Sequence, residues 1–143
     1  MFKKILVVFI TKEHTEHTYE TAFEIAKKFG SEITFIKYII KPPPKFGFFE
    51  TKGEKKQHEI ELREAQVTLG HLEELAKKEK LSVESKVLST ESFAEDLISY
   101  MESNKVDLII VDSHSLDEAE EAEHKDLIHK IFKNISCPFL TLK

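Results

Sequence analysis

Three histidines and an aspartate are spaced so that they could converge on one ion. His14 and His17 follow the apolar run from Ile5 to Ile10, and Asp112 and His114 follow the run from Val106 to Val111, in a chain with seven histidines. If those two runs are neighbouring strands, all four side chains reach the same edge of a sheet. Imidazole nitrogens and a carboxylate make a mixed donor set suited to zinc or a similar metal, held at about 2.0 to 2.2 Å. The alternative is that they are solvated histidines that titrate near neutrality.

The same place in the chain raises the question of phosphate. Asp112-Ser113-His114-Ser115 sits between a strand and a helix, where open α/β sheets bind their ligands. Phosphate loops there use glycines, whose backbone N–H groups approach the anion closely. This turn has no glycine, and it runs on into Leu116-Asp117-Glu118-Ala119-Glu120-Glu121-Ala122-Glu123. Between Asp117 and Asp126 six acids stand against Lys125, a local charge of −5 that equals the net charge of the whole chain. Acids before and within a first helical turn offset its positive end, and that alone accounts for their placement. The functional reading is that they repel phosphate or form a docking surface.

Covalent chemistry finds little support. The single cysteine, Cys137, has no basic neighbour in sequence to activate it, no serine lies in a nucleophile elbow, and no glycine-rich loop marks a kinase or dehydrogenase. No catalytic residue is therefore nominated. His124 and His129, five apart on one helix, are expected at the surface.

The elements that must position these groups alternate. Ile5 to Ile10 has the β-branched character of a strand buried on both faces. Tyr19, Ala22, Phe23, Ala26 and Phe29 recur at helical spacing up to Gly30, so a helix is expected from about Thr15 to Phe29. Ile33 to Ile40 is the second strand. Lys41-Pro42-Pro43-Pro44-Lys45 and the tip Phe46-Gly47-Phe48-Phe49 can join neither helix nor ladder. A charged helix is expected from about Gly53 to Lys80, with Leu62, Ala65, Leu69, Leu72 and Ala76 as its buried stripe and Gly70 as a weak point. Leu81 to Leu88 is a third strand, and Ser92 to Ser103 a helix with Ala94, Leu97, Ile98 and Met101 inward. Val106 to Val111 is the fourth strand. A short helix then places Leu127, Ile128, Ile131, Phe132 and Ile135 inward, and Pro138 to Leu142 closes the chain as a fifth strand. This rhythm implies one α/β domain over residues 1 to 143, a parallel sheet covered on both faces.

Composition agrees. With 143 residues, 41% hydrophobic and 33% charged, the chain is an ordinary globular domain. One cysteine fits a reducing compartment, and neither a signal peptide nor an apolar stretch near 18 residues is evident, so a cytoplasmic protein away from membranes is expected. No basic footprint for nucleic acid is present.

In the order and spacing of Lys3-Lys4-Ile5-Leu6-Val7-Val8, the proline-containing connection into a long helix, Val106-Asp107-Leu108-Ile109-Ile110 and Ile135-Ser136-Cys137-Pro138-Phe139-Leu140, the chain resembles the universal stress protein family. The resemblance implies a Rossmann-like, adenine nucleotide alpha hydrolase-like sheet of strand order 3-2-1-4-5. It also implies a homodimer joined by antiparallel fifth strands, here Phe139, Leu140, Thr141 and Leu142. In one branch it implies ATP, held by Asp-Gly-Ser after strand one and Gly-x2-Gly-x9-Gly-Ser/Thr after strand four. Here the first positions read Ile10, Thr11 and Lys12, and the second read Asp112, Ser115, Lys125 and Asp126, with Ser113 and His114 between. None of the three glycines is present, so no cofactor is expected and ATP retention in the family manner is not. The implied role is a homodimeric binding or regulatory module of the stress response. The alternative is a nucleotide-binding protein or weak ATPase with a diverged loop, using Lys12, Ser113, His114, Ser115 and Lys125. Phe46, Phe48 and Phe49 either cap the sheet's open end and fill the nucleotide cleft or present a surface to a protein partner. Capping is favoured, because three solvated rings invite aggregation.

Overall fold

The computed structural model describes residues 2–9, 16–39, 52–89, 93–113 and 116–142. Five strands, β1 (Lys4–Phe9), β2 (Glu32–Tyr38), β3 (Ser82–Leu88), β4 (Leu108–Asp112) and β5 (Phe139–Leu142), alternate with four helices. The helices are α1 (Glu16–Phe29), α2 (Lys52–Lys78), α3 (Phe93–Asn104) and α4 (Glu118–Asn134). The strands form one sheet in the order β3-β2-β1-β4-β5, and every neighbouring pair is parallel. The expected strand order and fold class are therefore observed.

Both side-chain parities of the central strands are apolar, which is why the sheet is buried on two faces. Ile5, Val7 and Phe9 of β1 pack with Ile33, Phe35 and Ile110 beneath Ala22, Phe23 and Ala26 of α1 and Leu69, Leu72 and Ala76 of α2. Leu6 and Val8 face the other way, with Ile36, Tyr38, Ile109 and Val111, beneath Leu97 and Met101 of α3 and Leu127 and Ile131 of α4. The Tyr38 and Phe93 rings stack at 3.8 Å, fixing α3 against β2. The α2 stripe narrows to Ala65, Leu69, Leu72 and Ala76, with Leu62 half-buried.

Two local devices register the amino-terminal edge. Gly30 takes φ +67 just past α1, and the Ser31 N–H donates to the Ala26 carbonyl at 3.0 Å, closing the helix as a Schellman turn does. The carboxylate of Asp107 accepts the N–H groups of Lys3 at 2.9 Å and Lys4 at 3.1 Å, while its own N–H donates to the Lys4 carbonyl.

Three expectations are corrected. The last helix is not short: its 17 residues begin at Glu118, directly after the β4 turn. Phe132 is not inward but 69% exposed, because Leu127 and Ile131 already define the buried face of α4 and Phe132 falls to its side. His124 is half-buried rather than on the surface, since α4 starts early enough to bring it back over the β4 exit. Among the described residues no helix is long and apolar enough to cross a membrane.

Candidate functional site

The helices following β1 and β4 leave on opposite faces, so the exits of these adjacent strands form a topological switch point. Strand register places Lys37, Phe9, Asp112 and Leu142 in one row across that carboxyl edge. Lys37 is 7% exposed and Asp112 is fully buried, so two ionisable side chains flank the Phe9 ring beneath the crevice. Beyond the row, the Ser113 N–H donates to the Leu142 carbonyl at 2.7 Å, tying the β4 exit to the end of β5.

The amino terminus of α4, which faces this crevice in a nucleotide-binding sheet, is capped by the chain's own carboxylates. Asp117 is the N-cap: its Oδ1 accepts the Glu120 N–H at 2.8 Å, and Glu120 Oε1 accepts the Asp117 N–H at 3.0 Å. This capping box satisfies two donors that a helix start would otherwise offer to an anion. Burial pushes the Glu120 carboxyl above its ordinary range and the Asp117 charge adds to the rise, while the hydrogen bond from the Asp117 backbone and the nearby Lys37 ammonium oppose it. Two of the six acids in the run are thus structural.

Lys125 and Asp126 lie about two turns inside α4. Backbone N–H groups at such positions are spent on carbonyls four residues earlier. Lys125 is exposed and pairs with Glu121 at 3.4 Å, on the helix's own surface. Ile10, Thr11, Lys12, His14, His114 and Ser115 lie outside the described residues, as do Phe46, Phe48 and Phe49. Of the four metal-ligand candidates, His17 is exposed near the start of α1 and Asp112 is buried at the end of β4. No group of three or more His, Cys, Asp or Glu side chains that could hold a metal ion is found among the described residues.

One contact at the β4 exit was not foreseen. Ser113 Oγ lies 3.4 Å from His124 Nδ1 and 3.3 Å from Nε2. Burial holds the imidazole below its ordinary pKa, with the Glu121 charge opposing. The hydroxyl sits almost equally far from both nitrogens, so neither is aimed at it as a general base must be. The contact packs α4 onto the strand exit. Cys137 is half-buried, its thiol pushed up first by burial and then by the Asp107 charge, which is the reverse of an activated nucleophile.

Sequence reasoning missed the capping box, although Asp117-x-x-Glu120 ahead of an amphipathic run is its signature. The Ser113–His124 contact had no signal, since it depends on how far along α4 the chain returns over β4.

A model of the universal stress protein family matches residues 1–143. No curated protein matches the chain in sequence. Among solved structures, a universal stress protein family member from Burkholderia pseudomallei superposes with a TM-score of 0.71 at 15% identity, covering 99% of this chain and 96% of that one. A universal stress protein from Archaeoglobus fulgidus in complex with dAMP gives 0.62 at 17% identity, covering all of both chains. A family protein from Arabidopsis thaliana with AMP bound gives 0.64 at 12% identity, covering 99% of this chain and 91% of that one. At such identities the structural likeness speaks for the fold, and the family match carries the assignment: this chain belongs to the universal stress protein family.

Proposed function

We propose that the chain acts as a binding or regulatory module of the universal stress type, working as a homodimer through β5, and that it does not retain ATP by a phosphate loop. The observation that carries the second part is the Asp117–Glu120 box. From Glu118 onward the segment that would supply open amides is wound into α4, the Asp117 and Glu120 N–H groups are taken by each other's carboxylates, and side chains occupy the glycine positions. A triphosphate brought there would meet the exposed carboxylates of Asp117 and Glu118. Thermal melting with ATP and Mg²⁺ tests the reading: no shift is expected, and a rise of several degrees at millimolar nucleotide contradicts it.

Support for the dimer comes from the contrast between the two sheet edges. β3 carries Glu84 and Lys86 exposed along its length, a pattern that discourages strand addition. β5 reads Phe-Leu-Thr-Leu, without charge, and exposes Leu140. Sedimentation that finds only a 16.6 kDa species at micromolar concentration removes this part of the reading.

A second reading is a nucleotide-binding protein using Lys12, Ser113, His114, Ser115 and Lys125. What favours it is that two of the similar structures hold dAMP and AMP, ligands with a single phosphate and less need of a long loop. Melting with AMP in place of ATP separates the two: stabilisation by AMP alone points to a monophosphate site at the switch point.

A further inference from the structure

Resting on the reading that β5 is the pairing edge, we infer that Phe132 and Phe139 form an aromatic lock between two copies of this chain. Phe132 stands on α4 with 69% of its surface exposed, yet its ring meets that of Phe139 edge-on at 4.9 Å. It therefore overhangs the edge strand instead of pointing away from the fold. Beside the pair, Ile135, Cys137 and Pro138 line a shallow, mainly apolar groove.

The occupant of this patch follows from the strand it adjoins. β5 has four residues. Pairing so short a strand with a copy of itself buries far less than the roughly 1,000 Å² that a specific interface needs. Apolar side chains continuous with the strand must supply the rest, and on the α4 face those are Phe132, Phe139 and the groove. A two-fold axis perpendicular to the sheet pairs β5 with β5 of the second copy in antiparallel fashion and keeps equivalent faces on the same side. Both α4 helices then lie on that side, flanking the axis. With strands about 4.8 Å apart and helices packing at about 8 to 10 Å, the gap between the two helices suits large rings. Each Phe132 reaches towards the groove of the other copy, in edge-on or offset contact of the kind aromatic pairs prefer. The other uncovered edge offers no equivalent, because Ser82, Glu84 and Lys86 stand on its corresponding face.

Analytical ultracentrifugation of the full chain over a micromolar concentration series tests this. The wild type is expected to dimerise, and Phe132→Ala to raise the dimer dissociation constant at least tenfold with an unchanged helical circular dichroism spectrum. A Phe132→Ala protein that dimerises like the wild type overturns the lock and leaves strand pairing intact. A monomeric wild type overturns both. Should Phe132→Ala perturb folding, Phe132→Cys in a Cys137→Ser background supplies a second readout. A short bis-maleimide is then expected to link two copies efficiently, and failure to do so in a protein that sediments as a dimer overturns the lock.

Discussion

Asp117 and Glu120 hold each other's backbone, Oδ1 of the first accepting from the N–H of the second at 2.8 Å and Oε1 of the second accepting from the N–H of the first at 3.0 Å. Reciprocal capping of this kind takes two of the donors that the start of α4 would otherwise offer to an anion. Asp117→Ala is expected to destabilise the protein by about 1 kcal/mol, the usual loss for an N-cap, and Asp117→Ser to restore most of it. Urea denaturation at neutral pH measures both, and equal stability of the alanine variant and the wild type would show that the cap carries no weight.

Removing the Asp107 clamp should cost more than its surface position suggests. Its carboxylate satisfies the Lys3 and Lys4 N–H groups, which lie more than 100 residues away in sequence. Asp107→Ala is expected to lose about 1.5 to 3 kcal/mol, in line with hydrogen bonds to a charged acceptor. Asp107→Asn, which retains one acceptor oxygen, should fall between. Hydrogen exchange would localise the effect: faster exchange is expected at the start of β1, with little change in α2.

Gly70 offers the opposite sign. It sits inside α2, and a Cβ built there would meet no atom within 4 Å. Gly70→Ala is expected to stabilise by about 0.5 to 1 kcal/mol by lowering the backbone entropy of the unfolded chain. A thermal midpoint that stays put or falls would contradict this.

Protonation of His124 should appear in the pH dependence of stability. Burial depresses its folded pKa below the unfolded value of about 6.5. As pH falls through 6.5 the unfolded chain gains this proton while the folded one does not, so stability drops until the lower folded pKa is passed. His124→Gln is expected to flatten the difference in stability between pH 7 and pH 5. Glu120 and Glu123, whose carboxyls burial raises, act in the other sense, adding stability as pH falls towards 4.5. A variant with the full wild-type slope would assign that slope elsewhere.

Local pattern was enough to read the alternation of strands and helices, the two-faced burial of the sheet and the absence of glycine from the β4 turn. Each is written in local periodicity or in a single residue type: Ile5 to Phe9 is apolar in both parities, and Ala65, Leu69, Leu72 and Ala76 repeat at helical spacing. The Asp117-x-x-Glu120 signature was equally local. The partners that meet across the chain emerge only once the sheet is assembled. Asp107 finds Lys3 and Lys4 only because β1 and β4 are neighbours, and His124 reaches Ser113 only because α4 begins at Glu118. Phe132 shows the limit most clearly: its spacing from Ile128 and Ile135 looks like a core face, yet α4 is rotated so that Leu127 and Ile131 take the sheet and Phe132 is left beside β5. Periodicity states that a helix has a buried stripe about 100° wide, and it is the packing of that helix on its strands that chooses which residues at the margin fall inside.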